Sequence, residues 1–342
     1  VAAVPLATCA FTLAFLLIFL PYTVFHEAIS WMIQGVLWIS RQSYGMLTIG
    51  HVPFLWVLLF YFMTGLWIWK KNGQNRHIRI SLAYVIMIIL IWIPMARRKS
   101  LAFLDVGQGD CFVADTKSGA IIFDGGSSSE DQVGRYRILP YMKYLGYQKI
   151  QIAVISHMDI DHYSGIKELL EMGKIKYLGL PEIPKDETMK KIIGIAKKRG
   201  TTIFYLSRGR QITTKDGSLK VLHPQKNSQM EKNAASLVMQ GKILGYRVLL
   251  TGDVEKEGEE ELLSEELERA DILKAAHHGS KNSTSNEFLQ KVQPKQTVIS
   301  CGKQNRYGHP HLETIHRLQT YRTKIYRTDR SGAIIFFKRR DG

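Results

Sequence analysis

The fold of this chain is decided by SHMDIDH, residues 156–162, which directly follows the segment IQIAVI, residues 150–155. The apolar segment predicts a buried strand, and the six positions after Ser156 hold four side chains that can bind a metal ion. Side chains alternate between the two faces of a strand. We therefore expect His157, Asp159 and Asp161 on one side, with His162 brought to them by the following turn. A solvated polar loop would explain one such residue, but four after a buried strand favour a site that can serve two ions.

Two other segments combine an apolar strand with a metal-binding residue and a turn: VLLTGD, residues 248–253, and ILKAAHHGS, residues 272–280. We expect Asp253 to bridge two cations, and one imidazole of the adjacent histidine pair to complete the shell of the second ion. Adjacent side chains point apart, so we assign His278 as the ligand and His277 as a supporting residue. The alternative for Asp253 is a turn carboxylate that caps the following helix.

These motifs resemble a known pattern. The spacing His157-x-Asp159-x-Asp161-His162 is similar to the His-x-His-x-Asp-His signature of the metallo-β-lactamase superfamily. More narrowly, the chain from Leu101 onward resembles ComEC-type competence proteins, which are DNA-uptake channels of bacteria. The resemblance rests on segments in the family's order, namely residues 104–110, 124–126, 156–162, 233–238, 250–253, 277–280 and 307–311. It implies a metal-dependent hydrolase that meets DNA.

Two departures from the superfamily pattern bear on the metal. Asp159 stands where the second histidine is usual, and the third-motif histidine is replaced by a segment that runs from Asn233 to Ser236. Carboxylate oxygens are harder ligands than imidazole nitrogens, so Mn²⁺ becomes as plausible as Zn²⁺. We therefore expect one or two divalent metal ions and leave their identity open between Mn²⁺ and Zn²⁺.

The pattern of apolar residues after Ser100 predicts an αββα sandwich, in which two packed sheets carry helices on their outer faces. Short strands alternate with Gly-rich turns and a few helical segments. The predicted strands are 101–106, 111–115, 120–124, 150–156 and 176–180, and the predicted helices are 136–145, 164–172, 187–199, 257–268 and 312–321. We assign residues 100–342 to this hydrolase domain.

Residues 1–99 have the composition of a membrane region. Up to Ala96 the chain holds five basic residues and one acid, Glu27. Apolar runs at 4–21, 53–69 and 78–94 are each near the roughly 17–25 residues that a bilayer requires. The amphipathic segment 26–41 is either an interfacial helix or a fourth, weaker span. Because the chain begins with Val1 inside an apolar run, we interpret it as part of a larger membrane protein, so that residues 1–99 would be transmembrane helices at the end of its channel region.

Several residues near the predicted metal ligands are assigned supporting or catalytic roles. Asp161 would orient a metal-bound water or take its proton, besides acting as a ligand. His309 would clamp a phosphate or protonate the leaving oxygen, unless it is an ordinary surface-turn histidine. The residues that could support the ligands through hydrogen bonds are Asp105, Gln108, Asp110, Asn233, Ser236 and His277. For the loop around Asp105, a tight hairpin turn is the alternative.

The chain is basic, with 46 Lys and Arg against 30 Asp and Glu, a formal net charge of +16. Such a balance favours nucleic acid or anionic lipid as a partner without identifying either. The bases that we predict to contact DNA are Lys197, Lys198, Arg199, Arg208 and Arg210. Phe204, Tyr205 and Tyr307 are candidates to stack on bases. The alternative is that the helical lysines form an ordinary solvated face.

The function that we predict is a metal-dependent phosphodiesterase of a membrane DNA-uptake channel, which degrades one strand of incoming DNA. The expected partners are DNA, the lipid bilayer and other DNA-uptake proteins. The resemblance implies that the hydrolase domain lies on the outer face of the cell membrane. The alternatives are a hydrolase of small phosphodiesters or amides that uses the same metal site, and a non-catalytic DNA-docking domain of a transport channel.

Overall fold

The computed structural model describes residue 34 and residues 50–69, 98–230 and 233–339. The chain divides into two compact units, Val1–Ile49 and Gly50–Gly342. The described residues belong almost entirely to the second unit, so the predicted apolar runs at 4–21 and 78–94 lie outside them, as does segment 26–41 apart from Gln34. The predicted run at 53–69 forms helix α1, Phe54–Trp69, which has 16 residues. Among residues 50–69, 98–230 and 233–339, no helix combines the length and the apolar character needed to cross a membrane.

Two seven-stranded sheets form the centre of the second unit. The first sheet has the order β14-β1-β2-β3-β4-β5-β6, and the second has the order β13-β12-β11-β10-β9-β8-β7. The strands are β1 Ser100–Phe103, β2 Phe112–Thr116, β3 Gly119–Phe123, β4 Ile150–Val154, β5 Ile175–Pro181, β6 Thr202–Leu206, β7 Gln211–Thr214, β8 Gly217–His223, β9 Val238–Ile243, β10 Tyr246–Leu250, β11 Ile272–Lys274, β12 Gln296–Ile299, β13 Lys324–Arg327 and β14 Ile334–Phe337.

Helices cover the outer faces of both sheets. On the first sheet lie a π-helical turn Gly134–Ile138 that continues into α2 Leu139–Tyr144, α3 Ile160–Glu171 and α4 Glu187–Lys198. On the second sheet lie α5 Lys256–Leu263, α6 Asn286–Val292 and α7 Leu312–Thr320, and the short helix α8 Thr328–Ser331 precedes the last strand. The predicted αββα sandwich is confirmed.

The two-residue period of the strands explains why there are three apolar layers. In β1, Leu101 and Phe103 point into the core between the two sheets, while Ala102 points into the core beneath the helices of the first sheet. All three side chains are buried. Because β1 is covered on both faces, its sequence is apolar at consecutive positions rather than at alternate ones. Burial of each aliphatic or aromatic side chain in these layers stabilises the folded state by about 1.5–3 kcal/mol relative to leaving it exposed.

Parallel strands in both sheets bring their carboxyl ends to one edge of the sandwich. Strands β3 and β4 are parallel in the first sheet, and β10, β11 and β12 are parallel in the second. The residues that follow these strands include Asp124, His157, Asp253, His278 and Ser300. The topology therefore collects polar residues from distant parts of the sequence at one place.

The predicted start of helix α3 is wrong by four residues. This changes the conformation of the metal-binding motif at residues 156–162, which we call the central motif. The helix begins at Ile160 instead of Ser164, because Asp159 has the extended backbone of an N-cap residue. Asp161 and His162 therefore lie in the first helical turn, not along a strand end. A helical turn separates adjacent side chains by about 100°, which directs these two residues to different partners.

Candidate metal centre

Three histidine rings lie side by side: the ring centroids of His157 and His162 are 4.1 Å apart, and those of His162 and His278 are 5.4 Å apart. His157, His162 and His278 are almost completely buried, and the Nε2 atom of each lacks a hydrogen-bond partner among the described residues. The opposite ring nitrogen, Nδ1, is held in every case. It lies 3.0 Å from Ser156 Oγ in His157, 3.0 Å from Asp124 Oδ2 in His162 and 2.9 Å from the Ser300 carbonyl oxygen in His278. Anchoring of one ring nitrogen fixes the ring orientation and leaves the other nitrogen for a metal ion.

Asp253 lies at the centre of these imidazoles. Its Oδ2 atom is 3.2 Å from His162 Nε2, 3.3 Å from His278 Nε2 and 3.8 Å from His277 Nε2. Ligand atoms of His157, His162 and Asp253 all lie within 4.8 Å of one another. The structure therefore brings Asp253 to the predicted loop and not to a remote helix cap.

The two acids of the central motif lie at different depths. Asp161 Oδ2 is 3.3 Å from His278 Nε2, and its side chain is 16% exposed. Asp159 Oδ2 is 3.6 Å from His157 Nε2, and its side chain is 38% exposed. Ligand atoms of Asp161, His162 and His278 also lie within 4.8 Å of one another. All predicted metal ligands thus converge, with Asp159 at the rim.

This donor set fits a divalent cation. Three imidazole nitrogens without hydrogen-bond partners meet three carboxylates, of which Asp253 also has the Lys274 ammonium 3.5 Å from its Oδ1, on the side away from the imidazoles. Buried groups of this kind are costly unless a cation satisfies them. Mixed imidazole and carboxylate ligands suit both Zn²⁺ and Mn²⁺.

A buried lysine behind the cleft was missed by the sequence analysis. Lys274 Nζ contacts Asp110 Oδ2, donates to the Gly252 carbonyl oxygen at 2.9 Å and lies 3.5 Å from Asp253 Oδ1. Burial would raise the pKa of Asp110, but Lys274 and His278 outweigh it and lower that pKa to about 2. In the sequence, Lys274 could have been noticed as a charged residue at the end of the otherwise apolar strand β11, ILK.

The carboxylates also control the protonation of the imidazoles. Burial alone would lower the pKa of His162 and His278, but the surrounding acids raise both pKa values well above their ordinary range. Asp253 and Asp124 act on His162, and Asp253 and Asp110 act on His278. A metal ion must therefore displace protons from these rings.

The predicted supporting residues have distinct positions. Asp110 Oδ1 lies 3.5 Å from His278 Nδ1, on the side of the ring away from the cleft. Gln108 lines the cleft and accepts from the Gly302 amide at 3.0 Å. Asp105 Oδ1 accepts from the Gly107 amide at 3.2 Å, which fits the turn interpretation that the sequence left open. His277 lines the cleft and its Nδ1 lies 2.7 Å from Glu255 Oε1.

The segment that replaces the third-motif histidine supports the centre through the side chain of Ser236. Ser236 Oγ accepts from the Asp253 amide at 3.3 Å, and the Ser236 amide donates to the Asn233 carbonyl oxygen at 3.0 Å. Ser236 is fully buried, and Asn233 is half-buried. This turn holds the strand end that carries Asp253.

The cleft has a volume of about 260 Å³ and opens to solvent. Its lining residues are Gln108, Ser128, Asp159, Ile160, Asp161, Asp253, His277, His278, Tyr307 and His309. The His309 ring is half-buried, 6.1 Å from the His278 ring between centroids. Burial and the neighbouring imidazoles lower the pKa of His309 to about 4, so the ring is neutral at pH 7.

The predicted DNA-contacting residues do not form one continuous group. Lys197, Lys198 and Arg199 are exposed at the end of helix α4, and Arg210 is exposed in a turn. The predicted DNA contact Arg208 is engaged within the protein, because its guanidinium lies 2.8 Å from both Glu261 Oε2 and Glu265 Oε1. Both acids already neutralise this guanidinium.

The three aromatic residues that we predicted to stack on bases lie in different parts of the structure. Phe204 and Tyr205 are partly buried and pack against the two cores of the first sheet, one on each face. Lys185 Nζ covers the Tyr205 ring at 5.0 Å. Tyr307 lines the cleft and is 42% exposed. Of the three, only Tyr307 lies beside the predicted metal ligands.

Comparisons with known proteins agree with this geometry. The family pattern described as "Metallo-beta-lactamase superfamily" matches residues 104–303. "ComE operon protein 3" of Bacillus subtilis is 34% identical over 294 residues, which cover 80% of this chain and 38% of that protein. "Competence protein ComA" of Neisseria gonorrhoeae is 30% identical over 248 residues, which cover 70% of this chain and 32% of that protein.

The chain thus spans about a third of the length of these relatives. Among solved structures, the metallo-beta-lactamase fold protein YhfI from Bacillus subtilis is 13% identical, with a TM-score of 0.47 over 69% of this chain and 99% of that chain. The match of the family pattern covers more than half of the chain, and the competence proteins match most of it at the level of sequence. The chain belongs to the metallo-beta-lactamase superfamily and, within it, to the ComEC-type competence proteins.

Proposed function

We propose that this protein is a metal-dependent phosphodiesterase that acts as a nuclease on DNA entering the cell, degrading one strand while a membrane channel passes the other. The observation that carries the proposal is the arrangement of His157, His162 and His278, whose buried Nε2 atoms surround Asp253. Buried polar atoms in folded proteins nearly always have hydrogen-bond partners, so three buried ring nitrogens without one indicate a binding site and not ordinary packing.

A divalent ion bound there would lower the pKa of a bound water and polarise a phosphoryl oxygen. Asp161 borders the open side of the cleft with a partly exposed carboxylate, so it can orient the attacking water or accept its proton. His309 lines the same cleft with a neutral ring, and a neutral imidazole can donate a hydrogen bond to a phosphate oxygen. We therefore favour the phosphate clamp for His309 over the proton donor.

The partners in this proposal are DNA, the lipid bilayer and other DNA-uptake proteins, with the hydrolase domain on the outer face of the cell membrane. Support comes from the relatives named as competence proteins and from the excess of basic residues in this chain. Exposed bases attract phosphates without regard to sequence, which suits an enzyme that must accept any incoming DNA.

The test is to purify the full chain, measure its metal content and assay labelled DNA with added Mn²⁺, Zn²⁺ or Mg²⁺. We expect metal-dependent cleavage of DNA that a chelator abolishes. Nitrocefin and a nitrophenyl phosphodiester are assayed in parallel. Turnover of these small substrates without cleavage of DNA would contradict the nuclease, and no turnover of any substrate by metal-loaded protein would indicate a docking role.

A further inference from the structure

A stack of three side chains lies at the mouth of the cleft. The Arg306 guanidinium lies 4.9 Å from the centre of the Tyr307 ring, and its Nη2 donates to Tyr307 Oη at 2.7 Å. The Tyr307 ring in turn stacks with the His309 ring, with centroids 5.7 Å apart and planes inclined by 21°. Tyr307 and His309 both line the cleft, so the stack leads from solvent towards the metal centre.

One side chain holds the loop that carries this stack. Asn305 Nδ2 donates to the carbonyl oxygens of Gly302 at 2.9 Å and of His309 at 2.6 Å. Asn305 Oδ1 accepts from the His309 amide at 2.9 Å. Gly308 has a φ of 71°, which allows the tight return of the chain. These hydrogen bonds fix the base of the loop, so Tyr307 and His309 keep their positions without a ligand.

The charge distribution shows what the stack can bind. The carboxylates of Asp159, Asp161 and Asp253 lie in the cleft, and none of the described residues that line it is Lys or Arg. Arg306 is exposed and adjoins the lining residue Tyr307. The pKa of Arg306 is raised mainly by its hydrogen bond to Tyr307 and, to a smaller extent, by the Asp161 carboxylate. Arg306 therefore adds a positive charge next to a cleft whose own charged lining residues are carboxylates.

We propose that Arg306 and Tyr307 bind one unpaired nucleotide next to the phosphodiester that is cut, and that the substrate is consequently single-stranded DNA or a frayed end. This inference rests on the proposed nuclease function. Arg306 turns from the ring to a phosphate of the bound strand, and the uncovered face of Tyr307 stacks on the base. Guanidinium groups bind phosphates in a bidentate manner, and aromatic rings stack on any base.

The requirement for an unpaired nucleotide follows from the geometry of nucleic acids. Inside a duplex both faces of a base are covered by its neighbours, so a protein ring beside an internal phosphodiester can stack only on a base that has left the helix. Ile160 lines the same cleft with a side chain that is 54% exposed, and offers an apolar surface for the sugar. These contacts recognise a nucleotide without reading its identity.

The experiment compares Tyr307→Leu and Arg306→Gln with the wild-type full chain. Substrates are a labelled single strand, the same strand with one abasic position, and a blunt duplex. Lys324→Gln is the matched control, because Lys324 Nζ covers the Tyr326 ring at 5.1 Å, at the amino end of a strand and away from the cleft. Cleavage and binding are both measured, binding by fluorescence anisotropy in a chelator.

We expect wild type to prefer the single strand and to lose about tenfold in kcat/KM at a suitably placed abasic position. Tyr307→Leu should lose about tenfold on the intact strand and show no further loss on the abasic one. Arg306→Gln should raise KM for every strand, and Lys324→Gln should behave as wild type. Equal cleavage and equal binding of intact and abasic strands by wild type would overturn the inference alone. Base-dependent binding without cleavage in any metal would overturn the proposed function alone.

Discussion

Lys274 Nζ lies 3.5 Å from Asp253 Oδ1, and Asp253 Oδ2 lies 3.2 Å from His162 Nε2. One carboxylate is thus shared between a buried ammonium and the open side of the metal centre. Because the ammonium holds Oδ1, the carboxylate cannot rotate freely, and Oδ2 is directed at the imidazoles. The ammonium also balances part of the negative charge that Asp110 and Asp253 bring into the interior.

Replacing Lys274 by Met should therefore destabilise the metal-free protein by about 3–5 kcal/mol, because it leaves buried carboxylates without a partner. Urea unfolding in a chelator measures this change. Lys256→Met, at an exposed position on helix α5, is the control and should change the free energy of unfolding by less than about 0.5 kcal/mol. Equal effects of the two substitutions would show that the Lys274 ammonium is not an essential counter-charge.

Asp124 should control metal affinity without touching the metal. Its Oδ2 holds His162 Nδ1 at 3.0 Å and its Oδ1 accepts from the Ser156 amide at 2.7 Å. We expect Asp124→Asn to weaken Mn²⁺ or Zn²⁺ binding by about 10–100-fold in calorimetry, because the ring loses its carboxylate anchor. Asp115→Asn, at an equally buried position in the same sheet, should leave the metal affinity unchanged. A similar loss in both variants would assign the effect to general destabilisation.

Asp161→Ala should abolish hydrolysis while the protein remains folded. The side chain lies at the partly exposed edge of the cleft, so it contributes to chemistry more than to packing. Activity on DNA and the thermal unfolding midpoint are measured on the same preparation. Glu171→Ala, at the exposed end of the same helix, is the control and should keep full activity. Turnover at the wild-type rate by Asp161→Ala would remove this residue from the mechanism.

Neutralising Lys197, Lys198 and Arg199 together should reduce the salt dependence of DNA binding. Each phosphate contact with a single strand contributes about 0.7 to the slope of log K against log salt, and a solvated face contributes nothing. Arg208→Gln should leave the slope unchanged, because this guanidinium is already paired with Glu261 and Glu265. An unaltered slope in the triple variant would mean that its bases are ordinary surface residues.

The lowered pKa of Asp271 should make the free energy of unfolding depend on pH in the acid range. Burial would raise its pKa, but the Arg247 amide, Lys295 and Arg339 outweigh burial and lower it. A lowered pKa in the folded state stabilises the protein above the unfolded value of about 3.9, and this contribution is lost as the pH falls through the folded value.

Asp271→Asn should thus cost about 1–3 kcal/mol at pH 7. Its deficit against wild type should shrink as the pH falls below about 4, because Asp271 of wild type is then protonated first in the unfolded state and, at lower pH, in the folded state. Thermal unfolding between pH 7 and pH 2 measures the difference. A deficit that stays constant over this range would contradict the ionic contribution.

The sequence by itself determined the layers and the main chemistry of this protein. Consecutive apolar residues in β1 and β4 predict strands covered on both faces, and the residues after β4 predict the metal-binding loop. His157, Asp161, His162, Asp253 and His278 could be chosen because each follows an apolar strand at a spacing that resembles a known family. Such local patterns are readable because strand period and turn chemistry depend on near neighbours.

Only the tertiary structure decided which partners these residues meet. Lys274 is a charge at the end of a strand in the sequence, and its role appears when β10 and β11 pair and bring Asp253 to its ammonium. Arg208 looks like a DNA-binding base in the sequence, but the fold places it against Glu261 and Glu265, which follow more than 50 residues later. Ion pairs between residues distant in sequence depend on sheet order and register, and no local pattern encodes those contacts.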